Sequence, residues 1–265
     1  MKVALCLHGL VGTDNKYGKG NKLISHKVGH KHFKRHVMDV NDQVDVFIHT
    51  WSVDQKDKVV ETYNPAAIKA EPQLITGLDD PDLRVRDQKT GVDSNLSGLH
   101  ANFCRWKSVK EVISLVNESD TQYDWVLLTR FDIAFLVDFD FSKWDNTRFY
   151  AQGPAGPFDN GLHLINDLWF AANQENMTIF ATLYDKLPAI QIQGNHFYGG
   201  LLERGAPDDY RGRCMFSNHQ LARKHLLQTG LHDKLEYKFL REWTGAAGKL
   251  SSDTPLVRWH YMNKV

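Results

Sequence analysis

The sequence predicts an α/β fold in which a mostly parallel sheet is flanked by helices. Short, mostly apolar runs at residues 1–7, 44–48 and 125–129 indicate strands, because runs of this length and character are typical of strands buried on both faces of a parallel sheet. The run at 125–129 is the strongest and follows a long helical pattern. A helix in that position provides the right-handed crossover that joins parallel strands.

The other segments are assigned in chain order. The stretch at residues 11–36 carries seven Lys and Arg residues, four His and one acidic residue. It predicts either a solvated loop leading into a helix that ends near Met38, or a basic flap over a phosphate-bearing ligand. We expect a third short element at 68–72, a surface loop at 76–98, a helix at 101–116, a strand at 168–172 and helices at 177–187 and 218–227.

Length and composition favour one globular domain. The chain has 265 residues, which is enough to bury a sizeable core, and no linker, repeat or shift in composition divides it. We therefore expect a single domain over residues 1–265. Residues 1–135 would form a nucleotide-binding half, and residues 136–265 a more irregular half.

Charge and cysteine content argue against several classes of function. The 32 Lys and Arg residues balance 32 Asp and Glu residues, so the chain lacks the net positive charge on which nucleic-acid binders rely. Its 3 cysteines form no C-x-x-C pair, which argues against a disulfide framework or a structural zinc site and favours a reducing compartment. No apolar run approaches the length of a membrane-spanning helix. We expect a cytoplasmic protein with no membrane span and no nucleic-acid partner.

The residues after the strongest strand are the most informative. Arg130, Phe131 and Asp132 follow it directly, at the edge of the sheet where open α/β proteins bind their ligands. A carboxylate between two apolar side chains needs a partner, because an unpaired buried charge is costly. Two interpretations are open: Arg130 neutralises Asp132 in a structural ion pair, or a metal ion does.

Three stretches resemble a group of GT-A-fold glycosyltransferases found in polysaccharide-assembly loci and in some large viruses. They are Asp45-Val-Phe-Ile-His-Thr-Trp51, the Tyr123-Asp-Trp-Val run into Arg130-x-Asp132, and Asp167-Leu-Trp-Phe-Ala-Ala, within a similarity that covers residues 1–230 or so. The resemblance implies a GT-A-like, Rossmann-type sheet that binds a nucleotide-sugar through a strand-end D-x-D motif holding Mn²⁺ or Mg²⁺. In this chain an arginine stands where that motif has its first carboxylate.

The resemblance also implies the residues of the donor site. Asp132 would bind the metal and the diphosphate, and His260 would complete the metal shell unless it is an ordinary exposed residue. Arg130 could itself bind phosphate, because a guanidinium pairs well with phosphate oxygens. The ends of the first two strands would line the nucleotide pocket with His8, Gly9, Leu10, Thr50 and Trp51.

Two donor-site residues have structural alternatives. Trp51 either stacks on a base or belongs to the core, where tryptophans at strand ends are often found. Arg105, together with Lys107, lies on the helix before the strongest strand. These cations either reach the diphosphate or stay solvated on the helix surface.

The second half would hold the acceptor sugar, which aromatic faces, carboxylates and amides typically bind. Asp167 is the first candidate for a general base that takes a proton from the attacking hydroxyl, unless it is an ordinary turn carboxylate, and Glu203, Asp208 and Asp209 are the other candidates. The residues expected at the acceptor are Asn160, Asp167, Trp169 and His196.

Together these residues predict a glycosyltransferase that moves a hexosyl or pentosyl group from a nucleoside diphosphate-sugar to a saccharide acceptor. Its expected cofactor is Mn²⁺ or Mg²⁺. Two other classes stay open: a different α/β enzyme that acts on a phosphorylated substrate, and a protein that binds nucleotide or carbohydrate without catalysis.

Overall fold

A computed structural model describes residues 1–12, 25–73, 96–153, 165–192, 218–239 and 256–258. Its strands are β1 Lys2–Gly9, β2 Gln43–Thr50, β3 Ala67–Ala70, β4 Trp125–Arg130, β5 Ile133–Phe135, β6 Phe149–Gln152, β7 Trp169–Ala172, β8 Leu235–Lys238 and β9 Leu256–Arg258. Its α-helices are α1 His26–Phe33, α2 Lys56–Tyr63, α3 Leu96–Asn117, α4 Gln174–Ala181, α5 Leu183–Ile192 and α6 Asn218–Thr229.

Seven of the described strands form one sheet in the order β3-β2-β1-β4-β7-β6-β8. The strands from β3 to β4 are parallel to one another. Strand β7 is antiparallel to both of its neighbours, and β8 is parallel to β6. Within this sheet β7 alone runs against the others, which confirms the predicted α/β fold with a mostly parallel sheet. The finer GT-A assignment stays a prediction.

The central strands β1 and β4 are buried on both faces, which explains why their sequences are almost continuously apolar. Cys6 and Leu128 pack on the face covered by α3. Leu7 and Leu127, one position along each strand, pack on the opposite face, where Phe33 of α1 meets them. Because these neighbouring residues enter different cores, both are apolar, and the alternation of a half-exposed strand is lost.

Helix α3 confirms the helical pattern of the sequence and carries polar residues to the edge of the sheet. Its predicted apolar positions are all buried. The helix begins at Leu96, inside the segment predicted as a loop, and most of the rest of that segment lies outside the described residues. Near the middle of the helix, the side chains of Arg105 and Ser108 reach the carboxyl ends of the strands.

The basic stretch leads into a helix that ends near Met38, as predicted. Ser25 caps α1 by accepting a hydrogen bond from the Val28 amide at 3.4 Å. The helix then continues as a π-helical turn over Lys34–Met38. Residues 13–24, where a basic flap would lie, are outside the described part of the chain.

The helical segment predicted at 177–187 is divided into α4 and α5. The break falls at Thr182, whose amide donates to the Ile179 carbonyl at 3.2 Å while its Oγ1 donates to the same oxygen at 2.8 Å. These bonds close the last turn of α4 and end it. Among the helices that the structure describes, none has the length and apolar character needed to cross a membrane.

Candidate functional site

The candidate site lies where the strand order reverses. From β1 the chain adds β2 and β3 on one side of the sheet, and β4 then pairs on the other side of β1. Open α/β sheets bind ligands beyond the carboxyl ends of their strands at such a switch point. His8 of β1 and Arg130 of β4 are register partners at this point. The antiparallel pairing of Thr129 with Trp169 brings the start of β7, and Asp167 before it, to the same edge.

Arg130 and Asp132 form a bidentate pair across the turn that ends β4. The Nε of Arg130 donates to Oδ1 of Asp132 at 2.7 Å, and its Nη2 donates to Oδ2. Parallel hydrogen bonds of this kind are among the strongest that a carboxylate accepts. Burial acts to lower the pKa of Arg130, but the carboxylates of Asp132 and Asp167 outweigh it and raise that pKa. Of the two interpretations left open above, the ion pair is the one that the described geometry contains.

A second arginine–carboxylate pair lies beside the first. Nη1 of Arg105 is 2.9 Å from Oδ2 of Asp167, and the side chains of the two residues are 9% and 8% exposed. Nη2 of Arg105 also donates to the backbone carbonyl of Asp167. His219 of α6 approaches from the other side, with Nδ1 3.4 Å from Oδ1 of Asp167 and 2.9 Å from the Ile165 carbonyl. Arg105 is therefore a buried partner of Asp167 and not a solvated cation on the helix surface.

His8 lies between these charged pairs and is almost completely buried, at 3% exposure. Burial lowers the pKa of His8 well below its usual range, and the nearby charges of Arg105, Arg130 and His49 lower it further. The imidazole is therefore neutral at pH 7. Its Nδ1 has no hydrogen-bond partner in the described structure, which is an uncommon state for a buried ring nitrogen.

A buried histidine holds the loop after β1 in place. His49, at 0% exposure, has Nδ1 2.6 Å from Oγ of Ser108 and Nε2 3.2 Å from Oε1 of Glu71. The amide of Gly9 donates to the same Ser108 oxygen at 3.1 Å. A consistent assignment has Nε2–H of His49 donate to Glu71, so that the Ser108 hydroxyl donates to Nδ1 and accepts from Gly9. Gly9 has φ +105°, in the region that favours glycine.

Hydrogen bonds join the end of β1 to the end of β2. The Trp51 amide donates to the Gly9 carbonyl at 3.2 Å, and the Val11 amide donates to Oγ of Ser52 at 3.0 Å. Thr50 is fully buried and its Oγ1 accepts from the Ser52 amide at 3.1 Å. The Trp51 ring is also buried and lies edge-on to His49, with 4.6 Å between centroids. Trp51 thus packs in the interior, which is the alternative to stacking on a base.

The remaining predicted residues are distributed as follows. Leu10 is partly buried and packs against the core on the α1 side of the sheet. Trp169 is fully buried, and its Nε1 has no hydrogen-bond partner in the part of the chain that the structure describes. The predicted residues that lie outside the described ranges are Asn160, His196, Glu203, Asp208, Asp209 and His260.

The structure therefore brings together, at one edge of the sheet, most of the residues predicted for the donor site. They are His8, Gly9, Thr50, Trp51, Arg105, Arg130 and Asp132, and Asp167, predicted for the acceptor and as the base, lies at the same edge. Sequence reasoning assigned no role to His49, Ser108, Glu71 or His219. The one signal for His49 is a histidine at the end of an otherwise apolar strand, and the others have no local signal because their partners are distant in sequence.

The described residues do not fit a resident divalent cation. A carboxylate is the kind of ligand that Mn²⁺ and Mg²⁺ prefer, but both oxygens of Asp132 already accept hydrogen bonds from Arg130. No group of three or more His, Cys, Asp or Glu side chains with a suitable arrangement occurs within the described ranges. A cation at Asp132 would first have to displace the guanidinium.

No protein-family model matches this chain, and a comparison with curated proteins gives no significant match.

Proposed function

We propose that this protein is a glycosyltransferase that moves a sugar from a nucleoside diphosphate-sugar to a saccharide acceptor in the cytoplasm. One observation supports the proposal most directly: Arg105, Arg130 and the neutral His8 converge at the β1–β4 switch point. Guanidinium groups are suited to phosphate oxygens. A diphosphate placed at this point would lie at the sheet edge where nucleotides bind in related architectures.

In this proposal the arginines act on the leaving group. The bond between the anomeric carbon and the terminal phosphate oxygen breaks, and negative charge develops on the departing diphosphate. In the proposal, Arg130 and Arg105 exchange their carboxylate partners for phosphate oxygens and donate hydrogen bonds to that charge, and donors directed at developing charge are a large source of rate enhancement. The unpaired Nδ1 of His8 is available for one more hydrogen bond to the same group.

Asp167 is the proposed general base. The acceptor hydroxyl forms the new bond to the anomeric carbon, and its proton passes to the carboxylate of Asp167. Asp167 precedes β7 on the edge that also holds Arg130, and Arg105 binds one of its oxygens at 2.9 Å. If the diphosphate draws Arg105 away, Asp167 loses a cationic partner and becomes a stronger base at the moment when the donor is bound.

The proposal is tested with a panel of nucleoside diphosphates and their sugars, each with Mn²⁺, with Mg²⁺ and with EDTA. A ligand that binds only the folded protein stabilises it by mass action, by about 2.7 kcal/mol at 100 times its Kd. We expect one base to raise Tm, and its sugar derivative to be consumed when a saccharide mixture is added. Asp167→Asn should retain the shift in Tm and lose at least about 100-fold in turnover. If no nucleotide raises Tm, the donor site is wrongly assigned.

A second candidate is a protein that binds nucleotide or carbohydrate without catalysis. The arginine at the first position of the strand-end motif favours it, because Arg130 occupies both oxygens of the remaining carboxylate. This candidate predicts the same rise in Tm with no donor consumed at any acceptor concentration. Release of nucleotide or phosphate without an acceptor would instead indicate a different α/β enzyme acting on a phosphorylated substrate.

A further inference from the structure

We infer that Gln152 and Trp169 form a subsite for the hydroxyl groups of a saccharide. The subsite lies at the carboxyl end of β6, on the opposite face of the sheet from helix α3 and Arg105. Its ligand is a neutral sugar ring with adjacent free hydroxyls. This assignment deepens the proposed function, and rests on it only in taking the saccharide to be the transferred sugar or its acceptor.

Gln152 and Trp169 carry three buried polar atoms that have no hydrogen-bond partner in the described structure. They are Nε2 and Oε1 of Gln152 and Nε1 of Trp169. The two residues are 1% and 0% exposed. Because burying an amide without a hydrogen bond is costly, such groups in proteins are almost always paired. A carboxamide with both of its polar atoms unpaired therefore indicates a polar ligand at this point.

The two side chains lie next to each other. Ala151 of β6 pairs with Phe170 of β7, and this register, continued by one residue, places Gln152 opposite Trp169. Trp169 packs on the α1 side of the sheet, as does Tyr150, two positions before Gln152. Since side chains two residues apart in a strand share a face, the carboxamide and the indole lie on the same side. Together they offer two donor nitrogens and one acceptor oxygen.

This set of polar atoms selects the class of ligand. A hydroxyl both donates and accepts hydrogen bonds. One sugar hydroxyl can therefore donate to Oε1 of Gln152 while its neighbour accepts from Nε2, and the indole N–H of Trp169 can donate to either. An anion would leave Oε1 unpaired, and a cation would leave both nitrogens unpaired. A neutral polyol is the ligand that satisfies all three atoms.

Aromatic rings border these polar atoms. The ring centroid of Phe239 is 6.1 Å from that of Trp169 and 6.1 Å from that of Trp144. Small-molecule sites combine aromatic walls with a few polar groups that fix the orientation of the ligand. The backbone of Phe239 has φ +56°, a rare conformation for a bulky residue, and such conformations are concentrated at functional sites.

Access to the subsite is from the side of β8, the outermost strand that the structure describes at this end of the sheet. Lys238 of β8 is the register partner of Gln152, and its side chain is 31% exposed. Phe239, the next residue, is half-buried. Lys238 and Phe239 are therefore the groups that a ligand displaces to reach Gln152.

The subsite is within reach of the proposed donor site. Gln152 and Arg130 end strands that run in the same direction, so they lie at the same edge of the sheet. Only β7 separates these strands, which places them about 10 Å apart. Trp169 is two residues after Asp167, the proposed base. A sugar held by Gln152 and Trp169 would thus be close to both the diphosphate and the base.

The experiment compares wild type with Gln152→Met, which keeps an unbranched side chain of similar length and removes both polar atoms. Calorimetry measures the binding of glucose, galactose, mannose, N-acetylglucosamine and xylose, and of UDP-sugars and GDP-sugars beside UDP and GDP. We expect Q152M to bind the preferred saccharide or nucleotide-sugar at least about tenfold more weakly, because hydrogen bonds to its hydroxyls are lost. Without ligand its Tm should rise, because a buried carboxamide without partners has been removed.

Two further variants locate the effect. Trp169→Phe removes the indole N–H and should also weaken binding of the sugar. Trp106→Phe is the matched control, because Trp106 is equally buried and its Nε1 is likewise unpaired in the described structure, but it packs on the α3 side of the sheet. It should leave the affinity for the sugar unchanged.

A measurement on the wild type needs no variant to fold. Monodeoxy analogues of the preferred sugar each lack one hydroxyl, and two analogues that lack adjacent hydroxyls should bind at least about tenfold more weakly than the parent. The two kinds of ligand also identify the source of the sugar. A loss in Q152M for the nucleotide-sugar but not for the nucleotide assigns the subsite to the transferred sugar, whereas a loss for the free saccharide assigns it to the acceptor.

The outcomes separate this subsite from the proposed donor site. If Q152M has a lower Tm and binds every sugar as the wild type does, the carboxamide has only a structural role and the subsite is wrong, even where nucleotides bind. Failure of all the saccharides and nucleotide-sugars to bind the wild type would also overturn it. If no nucleotide binds but saccharide binding depends on Gln152, the glycosyltransferase proposal is wrong and the subsite stands.

Discussion

His49 shows how a single buried residue positions the candidate site. Each of its ring nitrogens has an oxygen partner, Ser108 on helix α3 and Glu71 after β3. Burial lowers the pKa of His49, while its hydrogen bond and charge interaction with Glu71 act in the opposite direction. Through Ser108 the residue reaches the amide of Gly9. His49 is therefore a positioning residue for the loop after β1, with no expected contact to the ligand.

Ser108→Ala tests this positioning role. It removes the hydroxyl and leaves the buried Nδ1 of His49 and the half-buried Gly9 amide without their partner. We expect the free energy of unfolding to fall by about 1–3 kcal/mol, and the nucleotide-induced shift in Tm to decrease as the loop loses its support. Urea denaturation measures the first effect and thermal shift the second. Ser114→Ala, a half-buried serine on the same helix, is the matched control and should change neither.

At the scale of elements, helix α1 supports the turn that carries Arg130 and Asp132. His32 binds the Phe135 carbonyl through Nδ1 at 2.8 Å, and Nδ1 of His36 lies 2.7 Å from Oδ1 of Asp138. These contacts attach the helix to the segment that follows the turn. Gly29 also lies against the turn, because a Cβ at this position would be 3.0 Å from the Phe131 carbonyl.

Gly29→Ala should therefore destabilise the protein, although alanine is the better helix former by about 1 kcal/mol. The added methyl meets a backbone oxygen, which cannot rotate aside as a side chain would, so the helix and the turn must separate. We expect a lower free energy of unfolding and a smaller shift in Tm with nucleotide. Lys31→Ala, at an exposed position of the same helix, should leave both unchanged. If G29A is more stable than the wild type, the turn moves to accommodate the added methyl group and the prediction is wrong.

For the whole molecule, buried histidines predict sensitivity to acid. Burial is the main cause that lowers the pKa of His8, His49 and His225. For His225, which is fully buried, the pKa falls from 6.5 to about 4. The unfolded chain binds a proton at this residue at higher pH than the folded chain does. Stability from neutral His225 is therefore fully present above pH 6.5 and lost as the pH falls towards 4.

His225→Leu should reduce this pH dependence. In the wild type the contribution of one such group changes by at most about 1.4 kcal/mol per pH unit, so the loss of stability between pH 6.5 and 4 should be visibly shallower in the variant. Urea denaturation at intervals of pH measures the slope for both proteins. Equal slopes would mean that His225 is not the neutral group that its burial implies.

The sequence by itself determined the strands β1, β2 and β4 and the helix α3. Each is a mostly apolar run or has an apolar helical period, a signal that local residues carry without reference to the rest of the chain. It also placed the polar residues that follow these strands at one edge, because parallel strands share their carboxyl ends. The segments that remain predictions, including Asn160, His196 and His260, lie outside the described residues.

Only the tertiary structure decided which polar groups pair. Between Arg130 and Asp132, an ion pair and a metal site were equally consistent with the sequence, and the fold presents the ion pair. Arg105 meets Asp167, 62 residues away in the sequence, and His49 meets Ser108, 59 residues away. The antiparallel direction of β7 likewise depends on how the strands are arranged in the sheet. Hydrophobic burial is additive along each element, so apolar residues recur in the sequence with the period of that element. A hydrogen bond between distant residues depends on how the elements are arranged, and no local sequence pattern shows that arrangement.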